Sequence, residues 1–340
     1  MNTHTGESSS SWRFDAQSPL PDDLFTPPEE LPPADPACRR VYQLAGMTVQ
    51  VESDIPFTDE TFTHKFKAFE VDSPADDNIL FRHHFGLPAE PQGDFGQEIH
   101  RSSNWVIYRR DGHFIYCGLM GLGQTLDRIA VFNDAHTSGR ILNGERLESG
   151  FRSGGLNALT LFPTDQVVIA PALADRAACY FHSSAVILDG AGLIFVGHSE
   201  TGKSTILELL KDQAHALCDD RNIIRRWDDG HRVHGSWSHG QVPIVSPASA
   251  PLRAVLLLTQ SKSNRLTRVT PGESLASLLG CVIKPVVTQE WWEKTLTIVE
   301  DIATSVPVYR MEFDRSGAIV PVLRDFCAGE PEDAEAASTR

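Results

Sequence analysis

The chain has 340 residues, 41% of them hydrophobic, and a net charge of −15, enough for one large domain or two ordinary ones. Acid is concentrated at the ends: residues 1–37 carry seven acidic side chains against Arg13, and residues 328–340 carry four against Arg340. The body is therefore only mildly acidic and has no Lys/Arg stripe, which argues against a general nucleic-acid binder. Six cysteines (38, 117, 179, 218, 281 and 327) form no C-x-x-C pair and are expected to be reduced, buried thiols of a cytoplasmic protein. No apolar run follows Met1, and the longest, such as AVLLL at 254–258, are too short to span a bilayer, so no membrane partner is expected.

In chain order, residues 1–37 are rich in Ser, Pro and acid, with seven of the 21 prolines. They are expected to form a disordered tail, as is the acidic segment 328–340. A β-rich domain is expected over 38–163. MTVQVES alternates, and WVIYRRDGHFIYCGL predicts a hairpin about Asp111-Gly112. RILNGERL predicts another about Asn143-Gly144. PTDQVVIAPALADRAACYF, 163–181, has helical spacing after a Thr or Asp cap, interrupted by Pro171. A domain boundary is placed there, leaving 164–327 as the second domain. Within it, PLRAVLLLT predicts a buried strand and TPGESLASLLG a Thr-capped helix with Pro at its first position. EWWEKTLTIVEDIAT predicts an amphipathic helix with Trp292, Leu296 and Val299 inward. VPVYRMEF predicts a late strand.

The stretch GHSETGKST, 197–205, matches G-x-x-x-x-G-K-[ST], a pattern that arises by chance in about 1% of chains this long. Its context is specific: LIFV leads into it as a strand, and STILELLKD leads out as a helix. Gly197 and Gly202 would let backbone amides converge on phosphate oxygens, with His198, Ser199, Glu200, Thr201 and Thr205 completing the loop. Lys203 would reach the β- and γ-phosphates, and Ser204 would offer its hydroxyl to Mg²⁺.

Two further clusters converge on this loop. SAVILDGAGLIFV reads as two strands about a four-residue turn, DGAG, which sets His182 opposite Ser199. The helix from Ser204 rises roughly 12 Å, and a strand at 215–218 returns about 13 Å. A right-handed crossover makes that strand parallel to the first, delivering Asp219 and Asp220 level with the phosphates. One carboxylate could hold Mg²⁺, and the other could take a hydroxyl proton. Downstream, VHGSWSHGQ (233–241) reads as a strand followed by a substrate-facing loop. His231, His234 and His239 are spaced poorly for zinc, with only Asp228 and Asp229 nearby. Arg221, Arg225 and Arg226 form a basic group beside the site, to contact phosphate or to line a solvated strand edge.

Over 181–226 the residues resemble the HPr kinase/phosphorylase family, which carries a histidine 15 residues before the first P-loop glycine and a Leu-x-Ala-Asp-Asp run after the P-loop helix. Here His182 precedes Gly197 by 15, and ALCDDR keeps the Asp pair. The resemblance implies an α/β fold: a P-loop kinase domain of the HPr kinase/PEP carboxykinase-like type, preceded by a smaller β-rich domain. It implies ATP and Mg²⁺ as cofactors, with Lys203 and Ser204 as the ATP and Mg²⁺ residues. Asp219 and Asp220 match the acidic pair, one of them the base, and His182 the active-site histidine. Asp220 is taken as the second metal residue beside Ser204. The family usually has Gly at the place of Glu200 and Glu at that of Thr205, and its Glu-Ile-Arg-Gly signature is not found. The region 233–241 looks more like divergent relatives in peptide-modification clusters, including lasso-peptide serine kinases. The expected partner is accordingly a peptide or protein with an acceptor serine rather than HPr, with no phosphorylase activity; the related kinases form homo-oligomers. The alternatives are a small-molecule kinase or a nucleotide-binding regulatory ATPase. An ABC-type ATPase is disfavoured because the strand AVLLLTQ ends without Asp-Glu, and a GTPase because N-K-x-D is lacking.

Overall fold

The computed structural model describes residues 22–87, 94–102, 104–120, 125–198, 200–285 and 288–329. In chain order the strands before the first helix are β1 (Arg39–Leu44), β2 (Met47–Ser53), β3 (Asn78–Phe85), β4 (Gln97–Arg101), β5 (Trp105–Arg110), β6 (His113–Met120), β7 (Thr125–Asn133) and β8 (Ser138–Asn143). Helices α1 (Glu145–Ser153) and α2 (Ala170–Ala174) lead to β9 (Ala178–Leu188) and β10 (Ala191–Val196). Then come α3 (Lys203–Leu210), β11 (His215–Cys218), β12 (Arg221–Trp227), β13 (Gly230–His234), β14 (Ser249–Gln260) and β15 (Arg265–Arg268). The chain closes with α4 (Pro271–Cys281), α5 (Gln289–Ser305), β16 (Val308–Phe313) and α6 (Ile319–Ala328). The protein is a mixed α/β chain with two large sheets.

It divides into two units. The first holds the described parts of Met1–Cys38, Glu52–Pro56 and Leu80–Ser153; the second holds Arg39–Val51, Phe57–Ile79 and the described part of Gly154–Arg340. In the first, the strands run β3-β8-β7-β6-β5-β4. Asp111 and Gly112, at φ 45° and 76°, make the tight turn between β5 and β6. Asn143-Gly144 makes no hairpin: β8 ends at Asn143 and α1 begins two residues later. Of the segment expected to be a disordered tail, 1–21 lie outside the described residues, but 22–37 do not follow that expectation. Leu24 is buried in the core with Val106, Ile115 and Ile129, Phe25 meets the His113 ring edge-on, and the Ser138 hydroxyl donates to Glu29 at 2.7 Å. A few apolar side chains at fixed places anchor a segment whose average composition is that of a coil. Of the C-terminal tail, 330–340 lie outside the described residues, and Ala328 ends α6.

Within the first unit, His136 is fully buried. Its Nε2 lies 2.6 Å from the Tyr116 hydroxyl, and its ring stacks on Phe132. Burial pushes the imidazole down to about 3. Below the ordinary value of 6.5, the unfolded chain takes a proton that the folded unit refuses. Stability should therefore fall as pH drops from 6.5 towards 3, by at most about 1.4 kcal/mol per pH unit. Urea unfolding at a series of pH values should show this slope in the wild type and a flatter profile in His136→Gln.

The second unit is not a contiguous stretch beginning at 164. Residues from the 39–79 region are bound into it by specific contacts. Arg225 Nη1 donates to the Ala45 carbonyl at 2.7 Å, Arg176 chelates Asp77 through Nε at 2.8–2.9 Å, and Phe66 and Phe69 pack on Trp237. Local strand signals cannot report such long-range partners, so the composition break near 163 does not coincide with the division. The helix expected over 163–181 ends at Ala174, and β9 takes over at Ala178.

Strands β10, β14 and β16 are parallel neighbours, and β9 pairs antiparallel with β10 on one half of its length and with β12 on the other. Alternation along the strands sorts side chains to two faces. Leu193, Phe195, Leu256 and Met311 pack with Ile206, Leu207, Ile319 and Leu323 of α3 and α6. Ile194, Val196 and Val255 pack with Leu278, Ile298, Val299 and Ile302 of α4 and α5. Thr270 caps α4 by accepting from the Glu273 amide at 3.3 Å. The inward face of α5 is Trp291, Thr295, Ile298, Val299 and Ile302, one residue round from the Trp292–Leu296–Val299 face that spacing suggests.

Candidate phosphate-loop site

Strand β10 runs into the loop at Gly197, and α3 leaves it at Lys203. Gly202 stands at φ 105°, and a Cβ there would lie 2.7 Å from Cζ of Phe313. Gly202→Ala should therefore distort the loop and cost about 1–3 kcal/mol of stability, with urea unfolding as the measurement. Glu200 also has positive φ, 69°, a backbone conformation that glycine adopts most readily. The Gln260 side-chain amide donates to its carbonyl at 2.7 Å. Thr201 Oγ1 donates to the His198 carbonyl at 2.9 Å, and His198 lies against Gly280 of α4. Ser199 lies outside the described residues.

Lys203 is only 8% exposed. Its ammonium donates to the carbonyls of Gly197 (2.8 Å) and His198 (2.9 Å). Burial lowers its pKa, opposed by the fields of Cys281, Asp220 and Asp219. The cation thus rests on loop carbonyls that an incoming phosphate would replace. Together with the left-handed Gly202 and the start of α3 at Lys203, this arrangement fits a polyphosphate.

The hairpin delivers His182 differently from the four-residue turn that the spacing suggests. Asp189 and Gly190, at φ 50° and 83°, make a two-residue turn, and Val196 pairs with Ser183. Each pair is offset by two positions, so continuing the register sets His182 opposite Gly197 rather than Ser199. Strand β11 pairs with β9, not directly with β10; both pair antiparallel with β9 and so run in the same direction. Cys218 is level with Ala185, the partner of Ile194, so the Asp pair follows at the carboxyl edge of the sheet.

The two carboxylates then separate. Asp220 Oδ1 lies 3.1 Å from His182 Nδ1, and its Oδ2 lies 3.4 Å from Arg221 Nε. Burial raises the Asp220 carboxyl, but the His182 hydrogen bond and the charges of Arg221 and Lys203 outweigh it and hold it below its ordinary value of 3.8. Asp219 is 4% exposed and turned the other way. Its Oδ1 accepts from the Gly240 amide at 2.5 Å, and its Oδ2 from the Val242 amide at 2.7 Å. Both of its oxygens clamp the loop after β13, so only Asp220 faces His182, and the reading that sets both carboxylates at the phosphates is corrected in that respect.

Three residues the sequence did not assign to the site shape its floor. Asp165 Oδ2 accepts from Arg221 Nη1 at 3.0 Å and from the Ser238 hydroxyl, and its Oδ1 accepts from Trp237 Nε1 at 3.0 Å. In the sequence Asp165 shows only as a candidate helix cap, and Trp237 only as a loop tryptophan. Cys281, buried and within the field of Lys203, has its thiol pushed up chiefly by burial. Of the basic group, Arg221 alone reaches Asp220; Arg225 stacks on Trp227, and Arg226 pairs with Asp301. The histidines diverge: His231 faces Asp301 at 2.9 Å, His234 accepts from Trp227 Nε1 at 3.2 Å, and His239 is exposed. Among the described residues no His, Cys, Asp or Glu cluster could hold a metal by itself.

No protein-family profile matches the chain, and no curated protein is similar to it. Solved structures do match, among them the Hpr(Ser) kinase/phosphatase from Coxiella burnetii, at 9% identity over 44% of this chain and 88% of that one, with a TM-score of 0.28. No described helix is long and apolar enough to cross a membrane.

Proposed function

We propose that the protein is an ATP-dependent kinase that transfers the γ-phosphoryl group to a serine hydroxyl of a peptide or protein. The observation that carries this reading is the Asp220–His182 pair at the rim of a strand–loop–helix whose lysine lies on the loop carbonyls. Lys203 would balance charge on the β- and γ-phosphates once it leaves the carbonyls of Gly197 and His198. Ser204 is the residue that would hold Mg²⁺, which when bound neutralises phosphate charge, and Asp220, expected from the sequence as a second metal residue, is instead the base. The acceptor oxygen bonds to the γ-phosphorus as the bond to the β,γ-bridging oxygen breaks and ADP departs. The hydroxyl proton passes to Asp220, which His182 and Arg221 keep ionised and oriented. Asp219 would act indirectly, fixing the 240–242 backbone so that His239 and Gln241 face an acceptor.

Incubation with γ-labelled ATP, Mg²⁺ and serine-bearing precursor peptides tests the reading. Label in the peptide is expected. Label in a small molecule instead would establish the small-molecule kinase, and free phosphate with no labelled acceptor would establish the regulatory ATPase.

A further inference from the structure

Resting on the kinase reading, we propose that Lys65, from the 39–79 region, recognises an acidic side chain beside the acceptor serine, so that the enzyme selects acidic peptides. Lys65 lies on a short 3₁₀ helix, His64–Phe69, whose buried side chains are Phe66 and Phe69. Both rings pack on Trp237 at 5.5 Å between centroids, and the Thr63 amide donates to the Leu156 carbonyl at 3.0 Å. The helix is thereby fixed within the second unit, and Lys65 with it.

A continuous series of contacts leads from Lys65 to the base. Its ammonium lies 5.0 Å from the centre of the Phe66 ring, which meets the Trp237 indole. Trp237 donates to Asp165, Arg221 donates to Asp165 as well, and Arg221 faces Asp220. The charges of Asp165, Arg221 and Asp220 act on Lys65 through space, and Asp220 acts on Lys203 too. The base therefore stands between two lysines, Lys203 on the side of the phosphate loop and Lys65 on the side of Arg221. With the γ-phosphate at Lys203, in-line attack brings the acceptor hydroxyl in from the side away from the leaving ADP, which is the side of Arg221 and Lys65.

Lys65 is the cation with spare capacity on that side. Each carboxylate whose field reaches it is already taken: Asp165 accepts from Arg221, Trp237 and Ser238, and Asp220 lies against His182 and Arg221. Lys67, two residues on, pairs with Glu70 at 2.7 Å. Lys65 makes no hydrogen bond or ion pair among the described residues and has only the face of Phe66. It is half-buried, and burial lowers its pKa, with the field of Asp165 opposing. An incoming carboxylate would offset that burial and meet three N–H donors. A neutral neighbour of the serine would gain nothing from Lys65, and a basic one would be repelled.

Initial rates of the full chain with ATP, Mg²⁺ and synthetic single-serine peptides test the assignment, each peptide carrying Asp, Asn or Lys at one position near the serine. At the best position Asp should exceed Asn in kcat/KM by about tenfold or more, the worth of a hydrogen bond between charged groups, and the gain should lie in KM. Lys65→Met, which keeps the apolar stem over Phe66, should abolish the preference by raising KM for the Asp peptide. Lys65→Arg should retain it. Lys65→Glu should reverse it in favour of the Lys peptide, a result that only a folded enzyme can give. Equal use of the Asp and Asn peptides by the wild type, a preference kept in Lys65→Met, or a fall in kcat for every peptide alike would overturn the role of Lys65 while leaving the kinase reading intact. A wild type that labels no peptide at all would overturn the peptide-kinase reading, and this inference with it.

Discussion

Asp220→Asn should keep ATP affinity within a fewfold and lower peptide phosphorylation about 10³-fold, the usual size of a lost general base. The amide keeps the shape and still fills the place between His182 and Arg221, but it cannot accept the hydroxyl proton. Asp219→Asn should behave differently. That carboxylate is buried and accepts two backbone amides, and an Asn side chain offers one oxygen where two acceptors are needed. One backbone N–H would then face an NH₂ group. The expected cost is about 1–3 kcal/mol of stability, with activity recovering in proportion to the folded fraction at low temperature. Single-turnover transfer with parallel denaturant titrations separates the two. A tenfold or smaller loss in Asp220→Asn, or a folded, stable and inactive Asp219→Asn, would exchange their roles.

Trp237→Ala should destabilise the second unit by about 3–5 kcal/mol, the range for deleting a buried tryptophan. Trp237 is 2% exposed, meets Phe66 and Phe69 at ring-centroid distances of 5.5 Å, and donates its indole N–H to Asp165. Truncation opens a cavity and removes a donor from a carboxylate that also holds Arg221. Trp237→Phe keeps an aromatic ring in the space and loses the donor and some volume, so about 1–2 kcal/mol is expected. Urea unfolding monitored by circular dichroism should show Trp237→Ala well below Trp237→Phe. Equal midpoints would mean that the indole hydrogen bond, not the packing, secures this part of the unit.

Much of the second unit was legible because its signals are local. A strand, a glycine-bounded loop and a helix are contiguous at 193–210, and Thr270-Pro271 marks a helix start by cap chemistry that needs no distant partner. The turn at 189–190 shows where local reading slips. DGAG can close a hairpin with two or four residues between the strands, and the two-residue form wins because Asp189 and Gly190 both accept positive φ. The face of α5 is a similar case: spacing admits neighbouring stripes, and the surface it packs on chooses Trp291 and Ile298.

By itself, then, the sequence determined that a glycine-bounded loop lies between β10 and α3, that His182 stands on the neighbouring strand and an Asp pair follows β11, and that strands and helices alternate beyond it. Periodicity, glycine positions and chain length suffice for those, since each depends on neighbours a few residues away. Only the tertiary structure decided that Asp220 faces His182 while Asp219 turns to the 240–242 amides, that residues 39–79 contribute to the second unit, and that Asp165 and Trp237 underlie the site. Those outcomes depend on which buried donors each polar group meets, and the donors lie from 21 to 180 positions away along the chain.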